Sequence, residues 1–239
     1  MQQIMTTMET GAHAPAIAAV PRFNIYNAAH KGLRAFLCEA MVAVGRMDDA
    51  DEREMSVTLT NVRTLLKFCQ THLHKENHFI HPAMEARKPG SASGIAREHL
   101  EHEQAFQDIE RAICAVENGH GAERSAAAAG LYAALACFVA DNLRHMHTEE
   151  TANNAVLHTA YSDAELIALN RDLVASIPPG QQRAFLRWIV PSLTPRERAR
   201  MLAEMKKSLP EDVFADLLAM LRAHLDDHGW RKLRVALDR

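Results

Sequence analysis

The chain has 239 residues, a formal net charge of -3, 48% hydrophobic residues, 5% aromatics and ten glycines. That is long enough for one large domain or a domain with an extension, and the composition suits helices better than sheet. So small a net charge gives no polyanion signature, and no stretch approaches the ~20 apolar residues of a membrane span, so neither nucleic acid nor a membrane is expected as a partner.

Residues 1–21 lack a basic start, and Ala16 to Val20 is too short for a signal-peptide core; they are expected to form a flexible tail on a cytoplasmic protein. From about Pro21 to Gly45, Tyr26, His30, Leu33, Leu37, Met41 and Val44 recur in steps of three and four, which predicts a helix with a histidine on its buried face.

A second helix is predicted over about Arg53 to Ala86, with Val62, Leu65, Cys69, His72, Glu76 and Phe79 or Ile80 on its stripe. Histidine and glutamate four residues apart lie on one face, one turn apart, which is how a helix presents two metal ligands. A single such pair can be a surface hydrogen bond, but this one continues the apolar period, and a buried polar pair must be satisfied. His74 and His78 fall off the stripe and should face solvent. Lys88 to Gly94 reads as a loop.

The third helix carries Ile95, His99, His102, Phe106, Ile109, Ile113 and Val116 on one face, and Asn118-Gly119-His120-Gly121 ends it. The fourth, from near Ser125, has Leu131, Leu135, Phe138, Asn142, His145, Glu149, Ala152 and Val156 inside, and its His145–Glu149 repeats the His72–Glu76 pattern. Cys38, Cys69, Cys114 and Cys137 form no close pair; three or four buried, reduced thiols are expected, with Cys69 near the His72 pair.

Four helices joined by short loops predict an all-α fold, an antiparallel up-down-up-down bundle. Counted from the end made by the loops near 45–53 and 118–125, His30, His72, His99, His102 and His145 stand at about one level, with Glu76 and Glu149 one turn further. Four histidines and two carboxylates are too many for one structural zinc. They suit two metal ions, with bridging carboxylates and an open position, and imidazole with carboxylate fits iron or manganese. Fourteen histidines in all, ten of them between His72 and His158, agree with this.

His30, His72 with Glu76, His99, and His145 with Glu149 resemble the H…HxxxE…H…HxxxE signature of the hemerythrin-like (HHE cation-binding) domains, and Pro82 resembles the proline that closes their second helix. The resemblance covers about residues 22–158. It implies a four-helix bundle around two non-haem iron ions with an oxo or hydroxo bridge, with manganese or zinc as the alternatives after purification. His30 and His72 would serve one iron, His99 and His145 the other, and Glu76 and Glu149 would bridge.

Glu103 stands where the oxygen-carrying members resemble this pattern with a further histidine. A carboxylate-richer shell would favour oxygen activation over reversible carriage. His102 is either a fifth histidine or a replacement for His99, whose height matches His72 and His145 more closely.

Residues 159–239 read as a helical extension. Ser162 with Glu165 form a capping box before a helix to Ile177 and the break Pro178-Pro179-Gly180. Helices over Gln181 to Val190, Pro195 to Ser208 (Thr194 as N-cap), Glu211 to His228 and Trp230 to Leu237 follow. His224 and His228 read as surface or packing residues.

Three functions are open at this point. The first is a di-iron protein that binds or senses dioxygen, peroxide or nitric oxide, or handles iron. The second is peroxide decomposition or iron-sulfur repair, the latter disfavoured by the lack of cysteine in residues 1–25. The third is a helical interaction module with a structural metal, using the C-terminal helices for a protein partner or self-association.

Overall fold

A computed structural model describes residues 22–238, so the expected tail over 1–21 lies outside the described residues. The fold is all-α, with no strand among the described residues. The helix α1 spans Asn27–Arg46. It begins later than the sequence suggests because the chain before it is tied down: Arg22 pairs with Asp163 (2.8 Å) and donates to the carbonyls of His158 and Tyr161, Phe23 N–H donates to Asp163, and Asn24 caps Tyr26 N–H.

The helix α2 runs over 52–87 as Glu52–Lys75, a π-helical turn Glu76–Ile80, and His81–Arg87. Asp51 caps it, accepting from Arg53 and Glu54 N–H. The helix α3 spans Ser93–Asn118. α4 covers Ala122–Thr148, a second π-helical turn Glu149–Asn153, and Asn154–Ala160. It starts earlier than expected because Gly121, at φ 51°, reverses the chain in a region that a side chain would disfavour.

These four helices pack in a ring, α1 on α2 and α4, α3 on α2 and α4. The seven residues expected inside α3, Ile95 to Val116, are its seven buried ones. A large apolar cluster fills the base, including Phe36, Leu59, Leu65, Ile113, Leu131 and Leu135. A second cluster, including Ile80, Met84, Ile95, Leu157 and Leu166, closes the top. The metal-type side chains occupy the layer between.

Two expectations change. Only Cys69 is buried; Cys38, Cys114 and Cys137 are exposed and free, because they sit on outer faces of α1, α3 and α4. By length and composition alone, the helix Ala122–Ala160 is apolar enough to cross a membrane. The sequence reading missed this because the apolarity comes from alanines rather than large side chains.

The extension contains α5 (Asp163–Ala175), α6 (Pro179–Ser192), α7 (Pro195–Ser208), α8 (Glu211–Arg222) and α9 (Asp227–Leu237). Both Ser162–Glu165 and Thr194–Glu197 form capping boxes. The helix expected over Glu211 to His228 stops at Arg222, because Asp226 caps a new helix through Gly229 N–H (2.6 Å), and acidic side chains are unfavourable at a helix C-terminus. Val190, Leu202, Phe214, Leu217, Leu221 and Leu233 form its own core.

The extension meets the bundle through α6. Trp188 stacks on Phe36 and Phe185 on Phe68, each at 3.9 Å between centroids. Gly32 lets the α6 backbone approach: a Cβ there would stand 3.0 Å from Ile189 Cα. Lys31 and Asn27 bind Glu197 at 2.7 and 2.9 Å.

Candidate metal centre

Each bundle helix sends one histidine to the same layer, and α2 and α4 add a glutamate one turn on. Two groups have donor atoms all within 4.8 Å of one another: His30, His72, Glu76 and Glu149, and Glu76, His99, His145 and Glu149. The two groups share both carboxylates. Within them, His30 Nε2 and His72 Nε2 are 3.1 Å apart, as are His99 Nε2 and His145 Nε2. Glu76 Oε1 lies 3.1 Å from His72 Nε2, and Glu149 Oε2 lies 3.3 Å from His30 Nε2.

Three of the four imidazoles are aimed from behind. His30 Nδ1 meets Glu150 Oε1 at 3.0 Å, and Arg34 clamps both oxygens of Glu150. His145 Nδ1 meets Glu98 and His99 Nδ1 meets Asn77 Oδ1, both at 2.7 Å. With Nδ1 engaged, Nε2 is the atom that faces the site, the arrangement by which proteins orient metal-binding histidines.

The carboxylates test whether a metal fits. Glu76 and Glu149 are 1% and 0% exposed, and none of their four oxygens has a hydrogen bond of good geometry. Two buried carboxyls without donors are costly unless a cation or protons compensate. Burial and the neighbouring charge of Glu76 push the Glu149 carboxyl well above its ordinary value. Burial opposes ionisation of Glu76 too, but His72 and His30 hold its carboxyl low.

The imidazoles divide. Burial works against a charge on His30, yet Glu149, Glu150 and Glu76 push it up to about 10. Burial lowers His99 to about 3 and also lowers His145, favouring the neutral form that coordinates metal. The donor set is therefore hungry for positive charge and rich in neutral nitrogen. It fits a metal cation.

His102 is buried but stands outside both groups, one turn towards the base, its ring 4.5 Å from His145. Glu103 is exposed, so the expected carboxylate-richer shell is not formed: the inner stripe of α3 passes from His99 through His102 to Phe106, and position 103 turns outward. Cys69 lines a small void with His72 and Glu76, and burial pushes its thiol up to about 12. His74 and His78 are exposed.

Sequence reasoning missed Asn77, His81, Glu98 and Glu150. A signal existed for three of them: Asn77, Glu98 and Glu150 each adjoin a site residue, Glu76, His99 or Glu149, and reach across to a histidine of another helix. His81 owes its inward direction to the π turn, in which His81 N–H donates to the Glu76 carbonyl.

A family model described as the hemerythrin HHE cation binding domain matches residues 23–154. No curated protein and no solved structure matches the chain.

Proposed function

The chain belongs to the hemerythrin HHE cation-binding family, and from that premise we propose that it holds two non-haem iron ions and uses them to bind or sense dioxygen, peroxide or nitric oxide. The observation that carries this reading is the pair of four-residue groups sharing Glu76 and Glu149, whose oxygens lack any other partner. In it, His30 and His72 would hold one metal and His99 and His145 the other, with Glu76 and Glu149 common to both groups. Such a pair supplies redox chemistry and a position for an oxygen or nitrogen ligand.

The chain's own groups set what can reach that position. A void of about 10 Å³ lies below the imidazoles, among Leu33, Cys69, Leu73, Phe106 and Met146. It has room for about one water-sized molecule, which favours a diatomic or peroxide over any organic substrate. Of the ligand imidazoles in the metal-side layer, His72 has the most exposed side chain, 16% against 0, 1 and 7% for His30, His99 and His145. Access therefore runs past His72.

Metal analysis and absorption spectra of iron-loaded protein, before and after exposure to oxygen, test this. Two irons per chain and a near-ultraviolet band that changes on exposure are expected. One iron per chain, or a spectrum indifferent to oxygen, peroxide and nitric oxide, would overturn it.

A further inference from the structure

Buried polar atoms without partners gather at one further place. Tyr26 Oη, His81 Nε2, Asn153 Nδ2 and Asn154 Oδ1 are buried, and none makes a hydrogen bond of good geometry. Their residues are 1%, 7%, 5% and 7% exposed. Native interiors leave few such groups unpaired, since each gives up its hydration for nothing in return.

Chain direction puts them together. Tyr26, the N-cap residue of α1, precedes His30 by one turn, and α1 descends from the top of the bundle. His81 and Asn153 follow Glu76 and Glu149 on the ascending α2 and α4, at or just after the two π turns. They form a polar layer one turn above the carboxylates, on the opposite side from the small void. The Tyr26 ring lies 5.2 Å from that of His30, and the His81 ring 4.7 Å from that of His99. Tyr26 Oη lies beside Asn153, without reaching hydrogen-bond geometry. The apolar cluster of Ile80, Met84, Ile95 and Leu157 closes the layer from above. It is thus shut off from the top and faces the site below.

We propose that Tyr26, His81 and Asn153 form a hydrogen-bonding compartment for the oxygen-bearing end of a small ligand of the peroxide or dioxygen class held at the metal centre. The proposal rests on the di-metal reading above. A phenol, an imidazole and a carboxamide bring to this layer polar atoms with no other partner, whereas the carboxamide in the lower void, Asn142, already donates to the Phe138 carbonyl. Donors fixed in advance at such a place hold a ligand that carries negative charge without needing to reorganise.

The test uses the full-length, iron-loaded protein with azide as the probe, followed by its absorption on titration. Tyr26→Phe keeps the ring and removes the hydroxyl; His81→Leu removes the imidazole. In both, the azide dissociation constant is expected to rise about ten-fold, the loss of one hydrogen bond to a charged ligand. Iron per chain should stay at the wild-type value, and the thermal midpoint of Tyr26→Phe should stay close to it. Unchanged azide affinity in Tyr26→Phe at full iron content would overturn the proposal and leave these groups as holders of ordered water. Loss of iron in His81→Leu would overturn it in another way, by making His81 a metal ligand. Wild-type protein that takes up no iron would sink the di-metal reading itself, a result separate from either.

Discussion

Replacing Glu149 by glutamine should stabilise the metal-free protein while impairing its metal binding. Glu149 is fully buried beside Glu76, and its oxygens have no donors of good geometry. Burial and the Glu76 charge raise its carboxyl above 4.5. A group with a raised folded pKa contributes stability that is fully present below the unfolded value and is lost as pH rises through the folded one. The penalty from Glu149 therefore grows as pH climbs from about 4.5. Substituting a neutral isostere for a buried, poorly compensated charge is worth about 1–4 kcal/mol. In a chain of this size that corresponds to roughly 3–12 °C in the unfolding midpoint. The assay is thermal unfolding in the presence of a chelator, wild type against Glu149→Gln, at pH 4, 5.5 and 7. The gap should widen with pH, while metal analysis of loaded samples shows the variant binding fewer ions. A variant no more stable than wild type at pH 7 would show that these carboxylates are already satisfied by protein groups. They would then have no need of a cation.

Three further outcomes follow from the packing. Phe185→Ala removes a buried ring stacked on Phe68 and should cost about 3 kcal/mol, seen as faster proteolysis at residues 176–178; unchanged cleavage would mean that α6 is held by other contacts. Burial opposes ionisation of Glu197, but Lys31, Thr194 and Asn27 lower it to about 2, so its contribution is present above 4.5 and lost as pH falls towards 2. With a third of that side chain exposed, Glu197→Gln should cost about 1 kcal/mol at pH 7 and almost nothing at pH 2, and an equal cost at both would refute the charge assignment. Cys38, Cys114 and Cys137 should react with a thiol reagent in the native protein and Cys69 only on unfolding; four fast thiols would contradict its burial.

The ligand layer is legible in the sequence because helical period and chain direction are the only facts it requires. Once His72, Glu76, His99, His145 and Glu149 share stripes with Leu65, Phe106 and Leu135, antiparallel packing fixes their relative heights. The fold class followed from the same regularity. What the sequence conceals is the phase slip at each motif. A π turn adds one residue to the repeat, and no residue type demands it, so the α-helical period beyond Glu149 predicts Ala152 and Val156 inside where the buried positions include Asn153 and Leu157. On α2 the same slip turns His81 inward along with Ile80.

The slip has a physical rationale. The extra residue of each π turn moves the inward face on by one position, so the buried pairs above the glutamates are Ile80 with His81, and Asn153 with Asn154. One π turn per motif thus places both a closing apolar residue and a polar one on α2, and two carboxamides on α4, above carboxylates that must be kept from bulk water. Single π turns recur at functional sites for this kind of reason: a locally poorer hydrogen-bond ladder is tolerated where it re-aims the side chains that follow. The slip would be pointless in a bundle built only to be stable, since straight α-helical repeats would bury Ala152 and Val156 and leave Asn153 outside. That the chain instead buries His81, Asn153 and Asn154 above Glu76 and Glu149 argues that the upper layer is shaped by what the carboxylates hold.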